Sequence, residues 1–221
     1  MLGCINSVNP MFRAAISDKD IDNFEHAKQH FSDCYLMTTL ETLSHTPNGR
    51  KVLKEQIQYD DNNPKLLNCY LYKENGEKEK YTVPTNAVVK GYEKLYRLQP
   101  NEIIRSMDVS VAEYENKYKS KPWICRVTDT FKSYSFENNL PSHFMKVFTG
   151  PRVIAETDFN LDLSGYKNEV MELFKRMDKE KNHSFVIGTG VKMLDGRTWH
   201  VYIIEDVDLA NNTITVKEKR G

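Results

Sequence analysis

The strongest constraint on the fold lies early in the chain, where the largely polar run Gln29-His30-Phe31-Ser32-Asp33 passes into the apolar stretch that begins at Cys34. Leu36, Met37, Leu40 and Leu43 recur at helical spacing and predict a helix with one buried face. Ser32 and Asp33 carry side-chain oxygens that can accept hydrogen bonds from the N–H groups a helix start leaves open. Cys34 then falls in the first turn. Those open N–H groups and the helix dipole favour negative charge, and so favour thiolate over thiol. A cysteine in that position is a candidate nucleophile.

The rest of the chain divides by pattern. Thr46-Pro47-Asn48-Gly49 signals a turn followed by a second short helix, and "KLLNCYLYKENGEKEKYTVP" predicts two strands joined at Glu74-Asn75-Gly76. "VSVAEYENKYKSK" is compatible with a helix, and "PSHFMKVFTG" with a short one opened by Ser142 and stopped at Gly150-Pro151. Beyond that point "RVIAETDFNLDL" alternates like a strand, while Val170, Leu173, Phe174 and Met177 share one helical face. "HSFVIGTG" predicts a short strand, and "HVYIIEDVDLANNTITVKEK" a hairpin turning at Asn211-Asn212. Residues 1–150 thus form a largely helical lobe carrying the cysteine, and residues 151–221 a sheet-rich lobe. The expected class is α+β.

Composition narrows the partners. The 221 residues carry 31 Lys and Arg against 31 Asp and Glu, a formal net charge of zero, with no basic stripe interleaved with aromatics. Electrostatic binding to nucleic acid or acidic lipid is therefore not expected, and a protein or peptide partner is. No apolar run approaches the roughly 20 residues of a membrane helix, and "MLGCINSVNPMF" lacks the segments of a signal peptide, so neither membrane insertion nor export by the general route is expected. Cys4, Cys34, Cys69 and Cys125 show no CxxC spacing, which argues against a zinc site and against a disulfide framework. A reducing compartment, no metal and no cofactor are the expectations. Cys69 and Cys125 read as small buried strand residues.

A cysteine nucleophile needs a base that takes its proton and later returns it to a leaving group, and histidine suits both steps near neutral pH. His26 and His30 lie in the expected loop before Cys34, His45 ends its helix, His143 stands near the lobe boundary, and His183 precedes a strand. His200 differs, since it opens the apolar strand "HVYII" directly after the loop "DGRTW". Strand ends beside loops hold functional groups on a rigid base. If the terminal hairpin turns near Asn211-Asn212, the returning strand brings Glu218 beside His200, where a carboxylate could fix the imidazole tautomer. Glu205 and Asp206 are carried away by the strand rise of about 3.3 Å per residue. Gln29 supplies a side-chain amide shortly before Cys34, suited to an oxyanion.

Gln29, then "SDCYLM", "FTG" at 148–150, "HVYII" and the terminal "VKEKRG" together resemble, in order, the protease core of the calpain family, over about residues 24–221. Asp-Cys-aromatic-Leu is the most specific piece. The resemblance implies a papain-like two-lobe fold with a peptide cleft, Cys34 as nucleophile, His200 as general base and acid, and Gln29 as oxyanion donor. The chain departs from the family pattern in several places. Ser32 replaces a Gly, Gln29 stands one residue nearer the cysteine, and Glu218-Lys219-Arg220-Gly221 stands where the family has Asn-Pro-Trp-Gly. Glu218 can still orient imidazole, and Trp199 is the residue available to cover that contact. No EF-hand loop appears, so calcium dependence does not follow.

The bare core is similar to bacterial calpain-like proteins, some of which are secreted effectors. A cytoplasmic location and delivery to a host cell are both compatible with it. The expected activity is a monomeric cysteine endopeptidase. Deamidation or transglutamination of a protein glutamine uses the same groups, and a catalytically dead peptide-binding module is the alternative outside enzymology.

Overall fold

A computed structural model describes residues 15–27, 33–89, 93–96, 101–118, 141–150, 171–172, 174–176, 186–189, 200–211 and 213–218. Gln29, Cys125, Trp199 and the strand expected over 152–163 lie outside them. Helices and strands mix as an α+β class requires. In chain order the elements are α1 (Asp18–His26), α2 (Cys34–Ser44), α3 (Pro47–Gln56), β1 (Ile57–Tyr59), β2 (Leu66–Tyr72), β3 (Lys78–Pro84), α4 (Glu93–Tyr96), α5 (Glu102–Tyr118), α6 (Pro141–Thr149), β4 (Val186–Thr189), β5 (His200–Asp208) and β6 (Thr213–Lys217). Residues 171–172 and 174–176 are helical and belong to the helix expected there.

Helix α2 is the axis of the packing. The apolar spacing predicts one buried face, yet every residue of α2 is buried, including Thr38, Thr39 and Glu41. The reason is position: α1, α3, α6 and β5 all pack against it, and a helix enclosed on all sides has no solvent face to mark. Tyr35, Leu36 and Leu40 have no exposed surface. Full burial of a side chain of that size contributes roughly 1.5–3 kcal/mol before entropy is charged. Tyr35 meets Phe144 of α6 edge-on, with ring centroids 5.5 Å apart, and Phe144 stacks on Phe148 at 5.6 Å.

Local chemistry sets the helix ends. Ser17 and Asp20 form a reciprocal capping box at the start of α1, so His26, expected in a loop, is instead the last residue of a helix. Thr46 caps α3 by accepting the Gly49 N–H at 3.1 Å, with Pro47 in the first turn. Gly49 itself is required by the tight corner between α2 and α3, because a Cβ there would stand 2.1 Å from the Leu43 carbonyl oxygen. Helix α6 stops at Gly150, whose φ of 65° is left-handed and whose open side is filled by the Tyr72 ring.

Two antiparallel three-stranded sheets form among the described residues, in the orders β1-β2-β3 and β4-β5-β6. The β2–β3 hairpin turns at Glu74-Asn75-Gly76 as expected, with Gly76 at φ 82°. Leu67, Cys69 and Leu71 of β2 point into the core. Cys69 is fully buried, as a small apolar strand residue should be. The terminal hairpin also forms, β5 pairing with β6 through Ile203↔Lys217 and Ile204↔Val216, with an irregularity before Asp206. Val201 of β5 joins the same core as α2, α6 and β2. The second sheet is thereby seated on the helical layer.

Candidate active site

Cys34 is the first residue of α2, at the tip the sequence points to. The cap differs in detail. Asp33 stands at the cap position, but its side chain makes no capping hydrogen bond, and its backbone carbonyl instead accepts the N–H groups of Leu36 and Met37 at 2.9 and 3.1 Å. Its side chain is almost fully buried.

The sulfur is enclosed, and Cys34 keeps only 8% of its surface. Burial, followed by the negative charge of Asp33, pushes the thiol up from an ordinary 9.0 to about 11. The nearby backbone N–H dipoles of Val201, Tyr35 and Cys34 act the other way and do not prevail. The N–H groups of the helix start thus act in the direction expected from sequence, but they do not yield a thiolate. Removal of water from a group that must carry charge costs more than two or three dipoles return. Further negative charge lies near the same helix turn. The Tyr35 hydroxyl is held well above its ordinary value, first by burial and then by Glu115, Asp108 and Asp33, all of them buried.

The place of Val201 is the informative one. Val201 follows His200, the first residue of β5, so the strand that carries the expected base packs against the helix that carries the expected nucleophile, with Val201 and Cys34 in one buried cluster. His200 pairs with Thr189 of β4. Glu218 lies one residue past the end of β6 and is half-buried. Continuing the Ile203↔Lys217 register by one step sets Glu218 across from Tyr202 rather than His200. Glu218 therefore stands two positions short of the point opposite His200.

Other residues meet here that the sequence reading did not single out. Lys217, beside Glu218, brings its ammonium to 2.9 Å from the buried Glu41 carboxylate of α2. His45, at the end of α2, has its Nε2 3.8 Å from the same carboxylate oxygen. Its pKa is lowered, first by burial and then by Lys217. Glu41 is the one charged residue in α2, and a one-face reading of that helix assigns it to solvent.

Among the described residues no group of three or more His, Cys, Asp and Glu side chains is arranged to hold a metal ion. Among the same residues no helix is long and apolar enough to cross a membrane. Comparisons of the chain with protein-family models, with curated proteins and with solved structures found no match.

Proposed function

We propose that this chain is a calpain-like cysteine endopeptidase of papain-like fold, with a cysteine-bearing lobe over residues 1–150 and a histidine-bearing lobe over residues 151–221. The observation that supports the reading is the packing of β5 on α2, which buries Val201 and Cys34 in one hydrophobic cluster. The start of β5, which carries His200, thus lies in the same core as the start of α2, as a cysteine–histidine pair would need.

In this reading His200 takes the Cys34 proton and the sulfur attacks a peptide carbonyl carbon. The oxyanion that forms is met by backbone N–H at Cys34 and by the Gln29 amide. Collapse breaks the C–N bond, and His200 returns its proton to the leaving amine. Water, deprotonated by His200, then attacks the thioester carbonyl, and the Cys34 sulfur leaves with the carboxylic acid product released. Glu218 orients the imidazole. No metal or cofactor enters any step. The substrate is a protein or peptide, and the protein acts as a monomer in the cytoplasm or as an effector in a host cell.

The enclosed, protonated state of Cys34 favours a second reading, a papain-like module that binds peptides without cleaving them. The same groups also serve glutamine deamidation or transglutamination. One experiment separates the three. The purified protein and its Cys34→Ala variant are incubated with casein and with a denatured proteome, and the products are read by mass spectrometry. New peptide termini with the parent and none with the variant are expected. Glutamine converted to glutamate or to a cross-link, without new termini, would replace peptidase by acyl transfer. Neither change would leave the binding module.

A further inference from the structure

Two contacts join α2 to the β5-β6 hairpin. At one end β5 packs on α2, with Val201 and Cys34 in one buried cluster. At the other, two turns along α2, the Glu41 carboxylate lies 2.9 Å from the ammonium of Lys217, the residue of β6 registered with Ile203 of β5. Glu41 has no exposed surface, whereas the Lys217 side chain keeps 29%. The ammonium also stands 3.4 Å from Glu25 of α1 and 3.8 Å from Glu205 of β5. A single lysine on the hairpin is therefore gripped by carboxylates from two helices.

Lys217 supplies positive charge to a carboxylate inside the core, where an uncompensated charge is strongly unfavourable. With Lys217 in place, burial and Lys217 itself lower the His45 pKa, so the charge facing Glu41 from the hairpin is that of Lys217. Separating the hairpin from α2 would strip Glu41 of that charge, and it would withdraw the strand that covers Cys34. The two events use the same movement.

We propose that the Lys217–Glu41 ion pair is a latch that holds the β5-β6 hairpin down over Cys34, and that releasing it uncovers the sulfur. As a control on access to a nucleophile the latch rests on the peptidase reading. Lys217 touches no reacting atom and is a positioning residue.

The test reads coverage of the sulfur without requiring turnover. The full chain is treated with iodoacetamide at fixed pH, and each cysteine is followed by peptide mass spectrometry. Cys69, fully buried in β2, reports loss of the whole fold. Lys217→Met is expected to raise the labelling rate of Cys34 by about tenfold or more with Cys69 still protected, the pattern of local opening. Lys217→Arg, which keeps the charge, restores protection.

Should Lys217→Met expose both cysteines, the double variant Glu41→Gln with Lys217→Met decides. It removes both charges of the ion pair, and it too should expose Cys34 while protecting Cys69. Parental labelling of Cys34 in that double variant, or in a folded Lys217→Met, overturns the latch. Faster labelling of Cys34 with no proteolysis by any form retains the latch and removes the peptidase reading alone.

Discussion

The burial of Cys34 has a kinetic signature that can be worked out in advance. With the thiol pushed up to about 11, the thiolate at pH 7 is about one part in ten thousand, against one in a hundred for an ordinary thiol at 9.0. Thiolate is the reactive form, so alkylation should slow about a hundredfold. A more basic thiolate is also a better nucleophile, and with a Brønsted coefficient of about 0.4–0.5 that restores nearly tenfold. The net expectation is that Cys34 in the native protein reacts with iodoacetamide about tenfold or more slowly than in the urea-unfolded chain at pH 7. Steric cover slows it further. The rate should climb with pH at close to one decade per unit and show no inflection below about pH 10.

Asp33→Asn removes the second cause of the raised value, and it should move the inflection to lower pH without abolishing the retardation. The assay is a pH–rate profile of Cys34 labelling by peptide mass spectrometry. An inflection between pH 5 and 8 would refute the reasoning, since it would mean that an imidazolium beside the sulfur outweighs burial in the resting protein.

Two further outcomes test the packing. Gly49→Ala drives a Cβ to 2.1 Å from the Leu43 carbonyl oxygen, a backbone atom with no rotamer to yield; the corner between α2 and α3 must open, and urea denaturation should show a loss of at least about 2 kcal/mol. Burial pushes the Cys69 thiol up to about 12 and Cys34 to about 11 from an ordinary 9.0. Both pKa values are higher in the folded than in the unfolded chain, so their contribution to stability is complete below pH 9 and is lost as pH rises through 11 to 12. Urea midpoints should fall across that window, and Cys69→Val should reduce the fall; an unchanged slope in that variant would show that Cys69 is not the titrating group.

Elements bounded by strong local chemistry were legible in the chain. Thr46-Pro47 starts α3, Asn75-Gly76 turns β2 into β3, Gly150 ends α6, and the terminal hairpin forms where its alternation and its Asn pair put it. Each is decided by residues close in sequence. The capping box at Ser17 and Asp20 was equally local and was missed, which left His26 in a loop it does not occupy. Of the expected site, the cysteine at the start of α2 and the histidine at the start of β5 stand where the patterns put them. Gln29 lies outside the described residues, and Glu218 is offset from His200 by the register.

The amino-acid sequence by itself determined where helices and strands begin and end, because caps, turns and apolar spacing act over a few residues. It also determined that a sulfur would meet open backbone donors at a helix tip. Whether that sulfur is charged was decided only in three dimensions. The protonation state of Cys34 depends on what excludes water from it, and Val201, Asp33 and the layers around α2 are assembled from distant parts of the chain. The same holds for Glu41, a carboxylate that spacing assigns to solvent and that packing encloses with Lys217. Short-range rules carry no information about burial by residues far away in sequence, and desolvation is what turns a placed group into a protonated or a paired one.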